Sequence, residues 1–271
     1  MRRLRLGMMS GGIDPAAAFL VAAGITDPTI TAAINTLVND LIGYGVWNKL
    51  KAIYPFVGGT ATTHKFNLKN PADTDAAFRL SFVGGWTHSA NGALPNGTNA
   101  YADTYFNPSA LSQNVNSTHL SLYQRGLSNT GFSRAKIGAA NTDAVLNGVG
   151  LGFFSAGTRE VGVIAASGGA QYAPSSPSPA AQGFFMVATN GNRGAQHYIN
   201  GLANGGPITQ SGLMPNFSIH IARLNSGSSF DFYYFNKECA FASIGDGLSN
   251  TEAANYYTAV QAFQTTLGRQ V

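Results

Sequence analysis

From residue 28 onward the apolar positions recur every three or four residues. Ile30, Ile34, Leu37, Val38, Leu41 and Ile42 fall on one helical face. Asp27 is placed to cap that helix. Pro28 occupies its first position, where a missing N–H costs nothing. Gly43 and Gly45 weaken the continuation. The spacing therefore predicts two helices joined at Gly43-Tyr44-Gly45. The second runs from Val46 to Ile53, with Trp47 and Leu50 inward, and stops before Pro55. A short helix is expected over 15–23, after Asp14-Pro15.

Near residue 56 the period changes. Phe78, Leu80 and Phe82 fall on one side of "AAFRLSFVGG", and Leu120 and Leu122 alternate with Ser121 and Tyr123 in "THLSLYQRG". Both read as half-buried strands. "SRAKIGA", "REVGVIAA", "GFFMVATN", "AQHYING", "FSIHIARL", "SFDFYYFN" and "ECAFASIG" follow, separated by Gly, Asn, Pro and Ser. Many short strands at such intervals signal a sandwich or barrel. Asn200-Gly201 is a type I′ hairpin signal, because that turn needs φ > 0 at both central residues. The helical period returns at the end. Ser249-Asn250-Thr251-Glu252 is a capping box, and Ala253, Tyr256, Val260, Phe263 and Leu267 share a face behind it.

The expected fold is thus mostly β: an antiparallel two-sheet jelly-roll sandwich with N-terminal helices and a C-terminal helix. The expected organisation is an arm over 1–13, a helical anchor segment over 14–55, and a sandwich with its closing helix over 56–271.

Composition narrows the classes. Hydrophobic residues make up 44% of the 271 and charged residues only 10%, with 33 glycines. A helical bundle would carry more surface Lys and Glu, and a disordered chain fewer apolar residues. The net charge of +4 includes Arg2, Arg3 and Arg5. That cluster is a candidate particle-anchoring arm; without a basic stripe elsewhere, nucleic acid is not an expected partner. Cys239 is the only cysteine, so no disulfide forms within the chain. No run is long and apolar enough for a membrane-spanning helix. "SGGIDP" interrupts the start where a signal peptide would continue, so none is expected.

Three segments carry a resemblance. "GFFMVATNGNRGAQHYINGLANG" contains Val187-Ala188-Thr189, the turn Asn190-Gly191-Asn192 and Tyr198-Ile199-Asn200-Gly201; "ALPNGTNAYADT" contains Gly97-Thr98-Asn99 and Tyr101; and "GDGLSNTEAANYYTAVQAF" contains Leu248-Ser249, Glu252 and Tyr256. In this order they resemble the laminin-G-like, concanavalin A-like lectin superfamily. Residues 14–271 also resemble C-terminal modules of virion surface and tail proteins of bacteriophages and prophages. That resemblance implies a virion structural protein at the particle surface, in the tail, fibre, spike or capsid decoration, assembled in the host cytoplasm. Its implied partners are other virion proteins, further copies of itself (a homotrimer by analogy) and a host-surface glycan. The alternatives are a purely architectural protein without a ligand, a secreted lectin, or a glycoside hydrolase.

Chemistry is sparse in the sequence. A glycoside hydrolase needs two facing carboxylates. The chain has three glutamates, of which Glu252 belongs to the capping box, and Asp73 and Asp75 read as loop acids. His64, His88, His119, His197 and His220 are isolated, without zinc-ligand spacing. No catalytic residue is assigned and no enzyme is expected. Asp103, Asp143, Asp231 and Asp246 form no Asp-x-Asp cluster, so calcium is unsupported and no cofactor is expected. Glycan surfaces combine aromatic faces with amide and hydroxyl groups. Tyr172, Asn190, Asn192 and Arg193, in expected loops, are the candidate ligand residues. Trp86 is expected to pack at a strand end, and "GTNAY" to turn before Tyr101 enters the core.

Overall fold

The computed structural model describes residues 14–127, 134–141, 148–154, 159–164, 173–174, 182–189, 194–209, 212–227 and 234–271. Helices α1 (Pro15–Ala22) and α2 (Pro28–Gly43) lead into strand β1 (Leu50–Tyr54) and a single turn, α3 (Ala61–His64). Short strands follow: β2 (Ser81–Val83), β3 (Trp86–Ser89), β4 (Gly92–Pro95) and β5 (Tyr101–Asp103). Next come β6 (His119–Arg125), β7 (Arg134–Ala140), β8 (Gly148–Phe154), β9 (Arg159–Ile164) and β10 (Ala173–Pro174). The chain continues through β11 (Gly183–Thr189), β12 (Gly194–Ile199), β13 (Leu202–Ala203), β14 (Ile208–Thr209), β15 (His220–Ile221), β16 (Leu224–Asn225) and β17 (Glu238–Gly245). It closes with α4 (Asn250–Thr266).

Among the described residues these strands form two sheets. The first runs β13-β12-β11-β6-β17-β4-β3, with β1 along β17 and β14 along β12. The second runs β10-β9-β8-β7-β15-β5-β2. Pairing is antiparallel apart from β16, which lies parallel to β7. The fold is a mostly β, lectin-like sandwich with helices at its two ends in sequence.

Two cores make three layers. Leu120, Leu122, Phe185, Val187, Ala242 and Ile244 of the first sheet meet Ile137, Ala139, Val149, Leu151 and Ile221 of the second. On the other side, Tyr123, Phe184, Met186 and Phe241 meet Ile34, Leu37 and Leu41 of α2 and Tyr256, Val260 and Phe263 of α4. The central strands are therefore buried on both faces. "THLSLYQRG" is not half-buried as expected: Ser121 and Tyr123 point away from the sandwich core and are still wholly buried. Ser121 is satisfied there by Ser243 on β17, at 2.7 Å.

The helix starts are as the sequence implied. Asp14 accepts from the Ala16 N–H and Asp27 from the Ile30 N–H. At α4 the Ser249 hydroxyl accepts from the Glu252 N–H, while Glu252 accepts from the Ser249 N–H. The hairpin also forms, with Asn200 and Gly201 at φ 49° and 76°.

Other expectations are corrected. The second helix, Val46 to Ile53, does not form: a 3₁₀ turn over Trp47–Lys49 gives way to β1. Two causes favour the strand. Tyr54 precedes Pro55, which disfavours helical backbone at that residue. β1 also supplies partners for the free edge of β17, pairing Ile53 with Ser243 and Tyr54 with Ala242. Phe78 is not in a strand: it ends a 3₁₀ turn over Asp75–Ala77 with left-handed backbone, and pairing begins only at Ser81. "FSIHIARL" breaks at Ala222, also left-handed, into β15 and β16. Tyr101 does not enter the core, which takes Ala100 and Ala102 instead. Most of "SFDFYYFN" lies outside the described residues.

Candidate binding site

Tyr172, Asn190, Asn192 and Arg193 lie outside the described residues, as do Arg2, Arg3 and Arg5 of the arm. The structure thus leaves those assignments untouched and points to a different place.

That place begins with Asn67, which is wholly buried. Its side-chain oxygen accepts from the N–H groups of Ile53 and Lys69, both near 3 Å. Its amide donates to the carbonyls of Ala77, at 3.0 Å, and Lys51, at 3.3 Å. One side chain therefore ties β1, the turn from Asn67 to Asn70 and the segment leading to Phe78. The Tyr54 hydroxyl fixes that segment again by donating to the Phe78 carbonyl, at 2.7 Å.

These ties frame a pocket of about 430 Å³ lined by Lys51, Lys69, Asn70, Phe78, Phe106 and Leu111. Its aromatic pair is Phe78 and Phe106, with ring centres 5.0 Å apart. The left-handed backbone at Phe78, φ 59°, is a strained choice for a bulky residue and sets where its ring sits. Leu111 is 45% exposed. The rim is basic. The Lys51 ammonium pairs with Asp246 at 2.9 Å and donates to Gln113. The Lys69 ammonium sits 3.8 Å from the centre of the Trp47 ring and donates to the Trp47 carbonyl at 2.9 Å. Burial lowers its pKa to about 8. A partly apolar pocket with a few convergent polar groups and a perturbed titrating group has the build of a small-ligand site.

A second polar cluster lies on the second sheet. Tyr101 stacks on His220 at 4.5 Å, and the Arg223 guanidinium is also 4.5 Å from the Tyr101 ring centre. His220 approaches Asp103 to 3.6 Å. Burial pushes the Asp103 carboxyl up, but His220 and the Tyr105 N–H outweigh it and hold the pKa below its usual value. With each side chain engaged by another, this cluster reads as a brace between β5 and β15.

Four further polar clusters are likewise occupied. His119 donates from Nδ1 to the Asp246 carbonyl at 2.6 Å and accepts at Nε2 from Ser243, 3.1 Å away. This looks like a nucleophile and its base, yet both residues are wholly buried, so no substrate reaches the hydroxyl. His64 accepts from the Gly59 N–H at Nε2, which leaves its Nδ1 to donate to His88 at 2.9 Å. Trp86 packs on Phe82 at a strand end, as expected, and its indole N–H donates to the carbonyls of Val83 and Tyr101. Asp73 and Asp75 converge on Arg79. Among the described residues no three His, Cys, Asp or Glu come together in a way that could hold a metal ion. Asp103 and Asp246 are bound as above, and Asp143 and Asp231 lie outside the described residues.

No family model and no curated protein sequence matches the chain. Solved structures do resemble it. Trypanosoma rangeli sialidase in complex with 2,3-difluorosialic acid gives a TM-score of 0.52 at 12% identity, over 84% of this chain and 38% of that one. The binding domain of botulinum neurotoxin DC in complex with rat synaptotagmin II gives 0.53 at 10% identity, over 79% of this chain and 52% of that one. The shared feature is the lectin-like β-sandwich. This chain spans about half or less of either neighbour. At such identity the likeness is of fold and gives no residue here a role.

Proposed function

We propose that the chain is a glycan-attachment component of a bacteriophage particle surface, binding sugar in the Phe78–Phe106 pocket without catalysis. The observation that carries the binding part is the pocket itself. The half-buried Phe78 ring, backed by the buried Phe106 ring, offers a stacking face for a sugar ring, while Asn70 and the two lysines offer donors for its oxygens. Among the described residues, Glu238 is engaged by Arg125 and Glu252 by Lys49. The particle part rests on the resemblance of residues 14–271 to phage virion modules. The helical layer is consistent with it, since Val21, Ile42 and Tyr44 are exposed there.

A glycan array probed with the full chain tests the binding part. The expected result is retention of a defined subset of glycans, lost in Asn70→Ala with the fold intact by circular dichroism. Retention unchanged in Asn70→Ala and in Lys69→Gln places binding elsewhere. Reproducible cleavage of a retained glycan overturns the non-catalytic reading.

A further inference from the structure

We propose that this pocket selects glycans bearing a carboxylate, with the acid on Lys69 and the sugar ring against Phe78; this rests on the glycan reading above. The argument is one of uncompensated charge. Among the described residues no carboxylate lies within ion-pair distance of the Lys69 ammonium. One of its three N–H donors goes to the Trp47 carbonyl and its charge faces the Trp47 ring; among the described residues it has no further partner. The other lysine of the pocket is already matched: Lys51 pairs with Asp246. The rim therefore presents one net positive charge, partly withdrawn from water, beside an aromatic wall. A neutral sugar leaves that charge as it was. A carboxylate supplies its counter-ion as a charge-assisted hydrogen bond, which is stronger than a neutral one.

The same arrangement fixes the pH response. Free Lys69 loses its proton near pH 8. A carboxylate favours the charged form and raises the pKa in the complex. Affinity is then constant below about pH 8 and falls above it, by up to tenfold per unit, until the pKa of the complex is reached.

Calorimetric titration of the full chain with tetragalacturonate and with α2,3-sialyllactose, each against its own carboxylate methyl ester, tests the proposal. The ester keeps the ring and removes only the charge, so wild-type protein alone gives the answer. The expected result is at least tenfold weaker binding of one ester than of its acid at pH 6.5. That gap should shrink at pH 9.5 and close in Lys69→Gln. Equal binding of acid and ester overturns the carboxylate preference and leaves glycan attachment standing. A gap that survives in Lys69→Gln removes Lys69 from the role. If both acids and esters fail to bind while neutral glycans are retained on the array, only the carboxylate proposal falls. If nothing is retained there either, both readings fall together.

Discussion

Asn67 shows how much a single residue organises. Its amide group makes four hydrogen bonds to three separate segments, and those to Ile53 and Ala77 are fully buried. Asn67→Ala leaves the Ile53 N–H and the Ala77 carbonyl without those partners in a dry setting. A buried unsatisfied group costs about 1–3 kcal/mol, so a total loss of roughly 3 kcal/mol is expected in urea unfolding. Ligand affinity should fall as well, because the pocket loses its frame. Buried histidines add a pH dependence. Burial lowers the pKa of His119 to about 4, and burial together with neighbouring positive groups lowers His64 and His197 to about 3. In the unfolded chain each titrates near 6.5. Between those values the unfolded state binds more protons, so stability is full above about pH 6.5 and declines as the solution is acidified towards pH 3. Each histidine contributes up to about 1.4 kcal/mol per pH unit in that window. Urea midpoints should therefore drop steeply between pH 6.5 and 5. In His197→Gln, whose replacement cannot titrate, the drop should be shallower; an unchanged slope would count against the buried neutral histidine.

At the scale of elements, the helices were legible where capping chemistry is local. Asp27-Pro28 and the Ser249–Glu252 box announce themselves within four residues, and both operate as read. Glu252 does more than cap, since it also pairs with Lys49, the residue just before β1. Ser249→Ala should cost about 1 kcal/mol in thermal or urea unfolding. Glu252→Gln should cost less, because much of its ion pair is exposed. The strand β1 was not legible. "VWNKLKAI" carries an apolar residue often enough to satisfy a helical period, and what decides against it is the vacant edge of β17, nearly two hundred residues away. The pocket was hidden for the same reason. Lys51, Lys69, Phe78, Phe106 and Leu111 are brought together by β1 and by a left-handed residue that no turn motif signals. Asn67, in the polar run "FNLKNP", offered the one local hint, as a residue type that bonds to backbone.

For the whole molecule, the three-layer build bears on assembly. The helices cover one face of the first sheet, and the second sheet covers the other. The exposed apolar side chains of the helical layer are left for contact outside the chain. With charged residues at 10%, little like-charge repulsion opposes association of copies. Closed symmetry is the usual way such surfaces are buried. The expected state is a homotrimer with the N-terminal arm engaging the particle, and two measurements separate these parts. Light scattering of purified full-length protein should give three times the 28.3 kDa chain mass. A stable monomer at every concentration tested would remove the oligomer. Deleting residues 1–12 should leave the unfolding midpoint unchanged, since α1 keeps its own cap at Asp14. The same deletion should abolish incorporation when phage particles are assembled in its presence. A truncated chain that incorporates as well as the full-length one would move the anchor from Arg2, Arg3 and Arg5 to the helical layer, where Val21, Ile42 and Tyr44 would be the next side chains to replace.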